Sequence, residues 1–367
     1  MNKMFNCQES SLIELTHSEA WYRILKDRNH VRIPGKNPIN LSGYIKDQPN
    51  DEWEILDRDG VNIHENEDYV RDAMFKPDMR LTHPCDFFVY NDYETSGKQQ
   101  DDYGALVLDG SKTDPKSHLC LTREWKSVID KGEPCCWKSI LDKFHKGKTP
   151  PSNALIIIDR YLFSYNGESH TDYKNGVRNV YGILNELLPD KFSGEYQVLI
   201  VFDDTTISNR ATINQISKGI QKIKKLLNRN FTPTIELLTV NKDVDVNMFS
   251  ETHDRKIISN YYMITCTHGF SAVLPSAERK DDVDYIGVGS GAWSQTIRYE
   301  GIYAGITAED EDLDISSLPI RTTEKTVSHL SNYIKNLMQG RTGFYYICNG
   351  NNKMPIQEFR NRLITGD

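Results

Sequence analysis

The chain has 367 residues, of which 38% are hydrophobic and 26% charged, and its net charge at pH 7 is −8. This composition is typical of a water-soluble globular protein with a sizeable core and room for two domains. No apolar run reaches the ~18 residues of a membrane-spanning helix, and the first ten residues lack the apolar stretch of a signal peptide, so we expect a cytoplasmic protein. Because the chain is acidic, contact with nucleic acid would require a local basic patch.

The seven cysteines of the chain predict neither a disulfide framework nor a metal site. Their number is odd, and no two of them have the CxxC spacing that zinc knuckles and thioredoxin-type motifs use. We therefore expect reduced thiols and no cofactor.

The first part of the chain, residues 1–150, is rich in turn-forming residues and has a weak periodicity. Short strands are predicted at 86–90 and 105–108. A helix is predicted at either 125–130 or 137–144. We expect an α+β N-terminal region of unknown role, ending at a basic, proline-containing linker.

The second part, residues 151–367, has a clearer pattern. Continuous apolar runs predict buried strands at 154–159, 196–203 and 234–240. Amphipathic helices are predicted between them, over residues 177–188 and 213–227. This alternation predicts an α/β domain in which right-handed crossovers produce a mainly parallel sheet flanked by helices.

The pattern is less regular after residue 240. A further strand is predicted at 261–266 and a final helix near 327–337. The segment between them, at about 276–320, is rich in glycine and then in acidic residues, which predicts an insertion.

Acidic residues follow two of the predicted strands. Asp159 ends the first strand, and Asp203 and Asp204 end the second. In parallel sheets, ligands bind beyond the carboxyl ends of the strands. Two interpretations remain open: the acids cap the following helices, or they hold a metal together with Glu236, as acidic strand ends do in nucleases.

A short motif begins at His253, continues with Arg255 and ends with Asn260. Its spacing resembles that of the phospholipase D superfamily, whose signature is His-x-Lys followed, after four residues, by Asp. In that superfamily the imidazole attacks phosphorus to form a phosphohistidine, while the cation holds the phosphate oxygens. Arg255 and Asn260 stand here in place of the lysine and the aspartate.

Residues outside the motif indicate which branch of the superfamily the chain resembles. Asp159 and Tyr161 follow the first strand, Asn179 lies on the next predicted helix, and His253 is followed by Asp254 and Arg255. In these residues the chain resembles the phospholipase-D-like C-terminal domain of MIT-domain proteins and its bacterial relatives. The resemblance covers about residues 153–276. It departs from the family at Arg160, where proline is usual, and at Gly269, which lacks the usual Gly-Arg-Gly context.

These departures favour binding over turnover. Arginine retains a bidentate grip on phosphate, whereas asparagine removes a negative charge from the motif. We predict a degenerate catalytic set of His253, Arg255 and Asn260, and a phosphate-binding set of His253, Arg255 and Lys256. The strand-end residues Asp159, Tyr161, Asp203 and Asp204 are expected to support both sets.

The resemblance thus implies a phosphate-recognising, nucleic-acid-binding protein, and its bacterial relatives suggest a role in a mobile-element or phage-defence system. Two alternatives use the same residues: an active phosphodiesterase or nuclease, or a scaffold that binds phospholipid headgroups. Catalysis in this superfamily needs two facing histidine motifs, which a homodimer would supply. A second motif with this spacing begins at His30 and Arg32 and ends at Asn37, but the sequence places it in a turn.

Overall fold

In the computed structural model, the residues that the structure describes are 5–7, 30–33, 62–65, 69, 73, 76–84, 86–90, 100–109, 124–145, 150–164, 173–203, 210–240, 255–274, 288–301, 319–338, 344–347 and 359–365.

The described strands of the N-terminal region form one parallel sheet. They are β1 (Phe5–Cys7), β2 (His30–Ile33), β3 (Asn62–Glu65), β4 (Phe87–Tyr90) and β5 (Leu106–Asp109), with a 3-10 helix at Pro77–Thr82 before β4 and the short helix α1 (Gln100–Tyr103) before β5. The strand order is β3-β2-β1-β4-β5, and every pairing is parallel. The described strands thus form a parallel sheet where an α+β region was expected, and parallel neighbours cannot be paired through tight hairpins.

The motif at His30 and Arg32 lies on β2, so its predicted place in a turn is wrong. The turn-forming residues Pro34 and Gly35 follow directly after the strand, which is why the sequence pattern predicted a turn for the whole motif. Asn37, the last residue of that motif, lies outside the described residues.

The remaining elements begin at residue 124. In chain order they are β6 (Glu124–Ile129), β7 (Pro134–Cys135), α2 (Trp137–His145), β8 (Ala154–Ile158), α3 (Tyr173–Leu187), β9 (Gln197–Asp203), α4 (Arg210–Leu226), β10 (Thr234–Val240), β11 (Arg255–Ser259), β12 (Tyr262–Cys266), β13 (Val273–Leu274), β14 (Gly289–Gly291), β15 (Gln295–Gly301), α5 (Pro319–Met338), β16 (Phe344–Ile347) and α6 (Arg362–Thr365). Strands β13, β14 and β7 form a small antiparallel sheet. Within the described segments, no helix is long and apolar enough to cross a membrane.

The larger sheet has the described strand order β16-β10-β9-β8-β11-β12-β15-β6. Strands β8, β9 and β10 are parallel, as the strand–helix alternation predicts. Five other pairings are antiparallel: β11 with β8, β12 with β11, β15 with β12, β6 with β15, and β16 with β10. The sheet is therefore mixed rather than mainly parallel. Two residues separate β11 from β12, which leaves room for a hairpin but not for a helical crossover.

Two strands of this sheet come from unexpected parts of the chain. Strand β6 lies before residue 150, at the first of the two alternative positions of the predicted helix, and the helix itself is α2, at the second position. Strand β15 comes from the predicted insertion, yet it pairs with β12 on one side and with β6 on the other. The larger sheet thus combines residues from both sides of the predicted domain boundary.

The core of the larger sheet has two sides. Helices α2, α3 and α4 pack on one side, against alternate residues such as Leu155 and Ile157 of β8. Helices α5 and α6 pack on the other side, against Ala154 and Ile156. Because successive residues of a strand point to opposite faces, burial on both faces explains the continuous apolar run of β8.

The two sheets meet at the amino ends of β4, β5 and β8. The Tyr261 hydroxyl donates a hydrogen bond to the carbonyl oxygen of Asp86 (2.8 Å) and accepts one from the backbone N–H of Leu106 (2.9 Å). The Asn153 side chain, just before β8, donates to the carbonyl oxygen of Gly104 (3.2 Å). The carboxyl end of β8 therefore points away from the junction.

Candidate functional site

Asp159 follows β8 directly and is buried at the carboxyl end of the strand, with 1% of its surface exposed. One carboxylate oxygen accepts the backbone N–H of Tyr161 (2.9 Å), and the other accepts that of Phe270 (2.6 Å). Burial raises the pKa of this carboxyl to about 6, although both N–H groups and the nearby Arg255 act in the opposite direction. Asp159 is thus a fixed acid whose pKa is raised to about 6.

Arg255, the first residue of β11, lies beside this acid. The register pairs Lys256 with Ile158, which places Arg255 next to Asp159 on the neighbouring strand. The Nε atom of Arg255 is 3.8 Å from a carboxylate oxygen of Asp159, and Nη1 donates to the carbonyl oxygen of Thr267 (3.0 Å). The sheet therefore holds a guanidinium group at the carboxyl end of β8.

Arg160 places a second guanidinium group at the same end of the sheet. Arg160 forms an ion pair with the fully buried Asp203 at the end of β9, with 2.9 Å between Nε and the carboxylate oxygen. The guanidinium carbons of Arg160 and Arg255 lie 5.0 Å and 5.6 Å from the ring centre of Tyr161, within the range of cation–π contacts. We call these five residues, Asp159, Arg160, Tyr161, Asp203 and Arg255, the strand-end cluster.

The strand-end cluster brings together four of the residues singled out in the sequence, namely Asp159, Tyr161, Asp203 and Arg255. Sequence reasoning missed Arg160, which stood out only as a replacement for the usual proline. Its position directly after Asp159, a predicted site residue, is the signal that could have identified it.

Gly269 explains how Phe270 reaches Asp159. Its φ angle is +138°, and a Cβ atom there would lie 3.1 Å from a carboxylate oxygen of Asp159. A side chain would crowd the carboxylate, and the backbone conformation is one that residues other than glycine rarely adopt. Gly269, which the sequence marks only as a departure from the family pattern, thus lets the backbone approach the carboxylate closely.

Lys256 does not join the cluster. It is 4% exposed and points to the opposite face of the sheet, where Nζ donates to the Thr326 hydroxyl of α5 (3.1 Å). Adjacent residues of a strand point to opposite faces, so Arg255 and Lys256 cannot hold one phosphate from a single side of the sheet. The predicted phosphate-binding set is therefore divided between two faces.

Asn260 is also separate from Arg255. It follows the other end of β11, about 16 Å away at the usual rise per strand residue. Its side chain accepts the backbone N–H of Asn153 (3.0 Å) and donates to the Asn153 side chain (2.8 Å) and to the carbonyl oxygen of Pro84. Asn260 therefore belongs to the junction between the two sheets.

The metal interpretation that combined Glu236 with the strand-end acids does not fit the register. Glu236 pairs with Leu199, whereas Asp203 pairs with Val240, so the two acids lie about 13 Å apart along the strands. Glu236 instead accepts the backbone N–H of Arg360 (3.0 Å). Among the described residues, no group of three or more His, Cys, Asp or Glu side chains is arranged to hold a metal ion.

Two predicted site residues, His253 and Asp204, lie outside the described residues. Asn179, which carries part of the resemblance, is buried and structural. Its side-chain oxygen accepts the indole N–H of Trp137 (2.8 Å) and the backbone N–H of Val273 (3.0 Å), and its amide donates to the Val273 carbonyl oxygen (3.0 Å). Asn179 thus ties α3 to α2 and β13.

Comparisons with known proteins find no family model and no curated protein that matches the chain. The resemblance to phospholipase-D-like domains stays a prediction from the motif and the order of elements.

Proposed function

We propose that the chain binds a phosphate-bearing ligand, with nucleic acid as the favoured class, at the strand-end cluster. One observation carries the proposal: the guanidinium of Arg255 lies at the carboxyl end of a parallel strand, beside a buried acid whose pKa is raised to about 6. Ligands of open α/β sheets bind at this end of the strands. Arginine is also the side chain best suited to paired hydrogen bonds with phosphate.

The electrostatics of the cluster support the proposal. Asp203 neutralises Arg160 at 2.9 Å, whereas Asp159 is 3.8 Å from Arg255 at its closest oxygen. The carboxylate of Asp159 is also committed to two backbone N–H groups. When Asp159 takes up a proton, the cluster gains a net positive charge, which favours an anion at Arg255.

The catalytic alternative depends on His253, for which the cluster itself provides no support. It stays a prediction with a direct test: phosphodiesterase activity against a chromogenic diester must disappear in His253→Ala. Activity that this substitution leaves unchanged would rule out His253 as the nucleophile.

A filter-binding assay with labelled single- and double-stranded DNA and RNA at low salt tests the binding proposal. Arg255→Ala should weaken binding about 10- to 100-fold, because a hydrogen bond to a charged group contributes about 1.5–3 kcal/mol. Lys335→Ala is the matched control, since it removes an exposed cation from α5 on the opposite face of the sheet.

Affinity should also fall with rising salt, as expected for phosphate contacts. If no nucleic acid binds at low salt, or if Arg255→Ala and Lys335→Ala bind equally well, the proposal is wrong.

A further inference from the structure

Tyr161 is unusual among the aromatic residues near the strand-end cluster. Its surface is 41% exposed, whereas Phe163 and Phe270 are buried, with 2% and 0% exposed. The residue keeps this exposure even though two guanidinium groups lie within 5.6 Å of its ring centre. A large aromatic surface is thus left open at the position where we place the phosphate.

Two hydrogen bonds hold the backbone from which this ring projects. The N–H of Tyr161 donates to the Asp159 carboxylate (2.9 Å), and the carbonyl oxygen of Tyr161 accepts the N–H of Ser164 (3.0 Å). The next two side chains, Leu162 and Phe163, are buried in the core beside α3. The ring therefore projects from an anchored turn, which lowers the entropy cost of ligand binding.

We propose that Tyr161 is a stacking platform that selects single-stranded nucleic acid, with a base against its ring and the adjoining phosphate at Arg255. This inference rests on the proposed function, because it assigns the ligand class of the same site. Proteins that bind single strands combine cations along the backbone with aromatic rings on which bases stack. The 41% exposed Tyr161, with two guanidinium groups within 5.6 Å of its ring centre, supplies both features within one cluster.

The same geometry argues against other phosphate-bearing ligands. In a duplex the bases are stacked on one another, so a ring reaches them only in single strands, loops or ends. A phospholipid headgroup or a free phosphate offers no flat π surface, so neither gains from Tyr161. Base stacking contributes about 1–3 kcal/mol per base, which makes the choice measurable.

Fluorescence anisotropy of the full chain with three labelled probes tests this inference. The probes are oligothymidylate of about 12 nucleotides, which is within the usual site size, an abasic oligonucleotide of the same length, and a duplex of that length. Tyr161→Ala should weaken oligothymidylate binding about 5- to 100-fold and leave abasic binding unchanged. Tyr161→Phe should bind like the wild type, because it keeps the ring.

Trp293→Ala is the matched control, since Trp293 is another exposed aromatic side chain (38%) and lies outside the cluster. It should not change oligothymidylate binding. Circular dichroism of each variant establishes that it folds.

Three results would overturn the inference: equal affinity for the oligothymidylate and abasic probes, an equal loss of both in Tyr161→Ala, or tighter binding to phosphatidylserine vesicles than to oligothymidylate. Arg255→Ala distinguishes an error in the stacking role of Tyr161 from an error in the proposed phosphate site. If Arg255→Ala leaves every probe bound as before, the phosphate site itself is misplaced.

Discussion

Asp159 shows how one residue acquires its properties from its neighbours. Its sequence position, after an apolar run, predicts only a strand-end acid. In the folded chain it is enclosed by Tyr161, Phe270 and Arg255, and burial outweighs their stabilising contacts, so its pKa rises to about 6. The charge of the strand-end cluster therefore changes as the pH passes through about 6.

This pKa predicts a dependence of stability on pH. The folded-state pKa lies above the ordinary value of 3.8, so the folded protein holds this proton more tightly than the unfolded chain does. The resulting stabilisation is complete below about pH 4 and is lost as the pH rises through about 6.

Urea denaturation of the wild type and of Asp159→Asn at pH 7.5 and at pH 5 checks this prediction. The wild-type free energy of unfolding, taken relative to the variant, should increase by about 1–2 kcal/mol at the lower pH. Groups common to both proteins cancel in this comparison. A difference that stays constant, or that shrinks at pH 5, would show that the pKa of Asp159 is not raised.

At the scale of elements, buried polar side chains decide how the helices and strands fit together. Strand β13 is only two residues long, and Asn179 of α3 bonds both its backbone N–H and its backbone carbonyl at Val273. The same side chain accepts the indole N–H of Trp137 in α2. One asparagine thus fixes the relative positions of two helices and a strand behind the strand-end cluster.

We predict that Asn179→Ala lowers the free energy of unfolding by about 3 kcal/mol, because it leaves the buried Trp137 and Val273 N–H groups without their acceptor. Asn185→Ala on the same helix is the control and should cost less than about 1 kcal/mol, since Asn185 is only partly buried. Equal losses in both variants would contradict this role for Asn179.

At the scale of the molecule, the junction determines which ends of the two sheets remain accessible. Polar side chains at the amino end of β8 bond backbone groups at the amino ends of β4 and β5. Gly104 permits this close approach, since its φ angle is +60° and a Cβ atom there would lie 2.2 Å from the Ser152 carbonyl oxygen. The strand-end cluster consequently lies at the end of β8 that faces away from the N-terminal sheet.

The location of Asn260 at this junction gives a further prediction. Asn260→Asp restores the residue type of the phospholipase D motif, but it replaces an amide donor by a carboxylate facing the oxygens of Pro84 and Asn153. We expect a loss of about 3 kcal/mol in the free energy of unfolding and no gain of phosphodiesterase activity. Thermal and urea denaturation measure the first effect.

Asn332→Asp makes the same charge change at an exposed position on α5 and should be close to neutral. An Asn260→Asp protein as stable as this control would contradict the role of Asn260 at the junction.

The sequence by itself determined the parallel strands β8, β9 and β10, the helices between them and the position of Asp159, because these features depend on local periodicity and on where an apolar run ends. It also identified Arg255, Tyr161 and Asp203 as candidate site residues. Only the tertiary structure decided that Lys256 and Asn260 lie away from Arg255, that Arg160 joins the cluster, and that β6 and β15 complete the sheet. These outcomes depend on strand pairing between distant segments, and a local pattern does not specify which strand a residue will face.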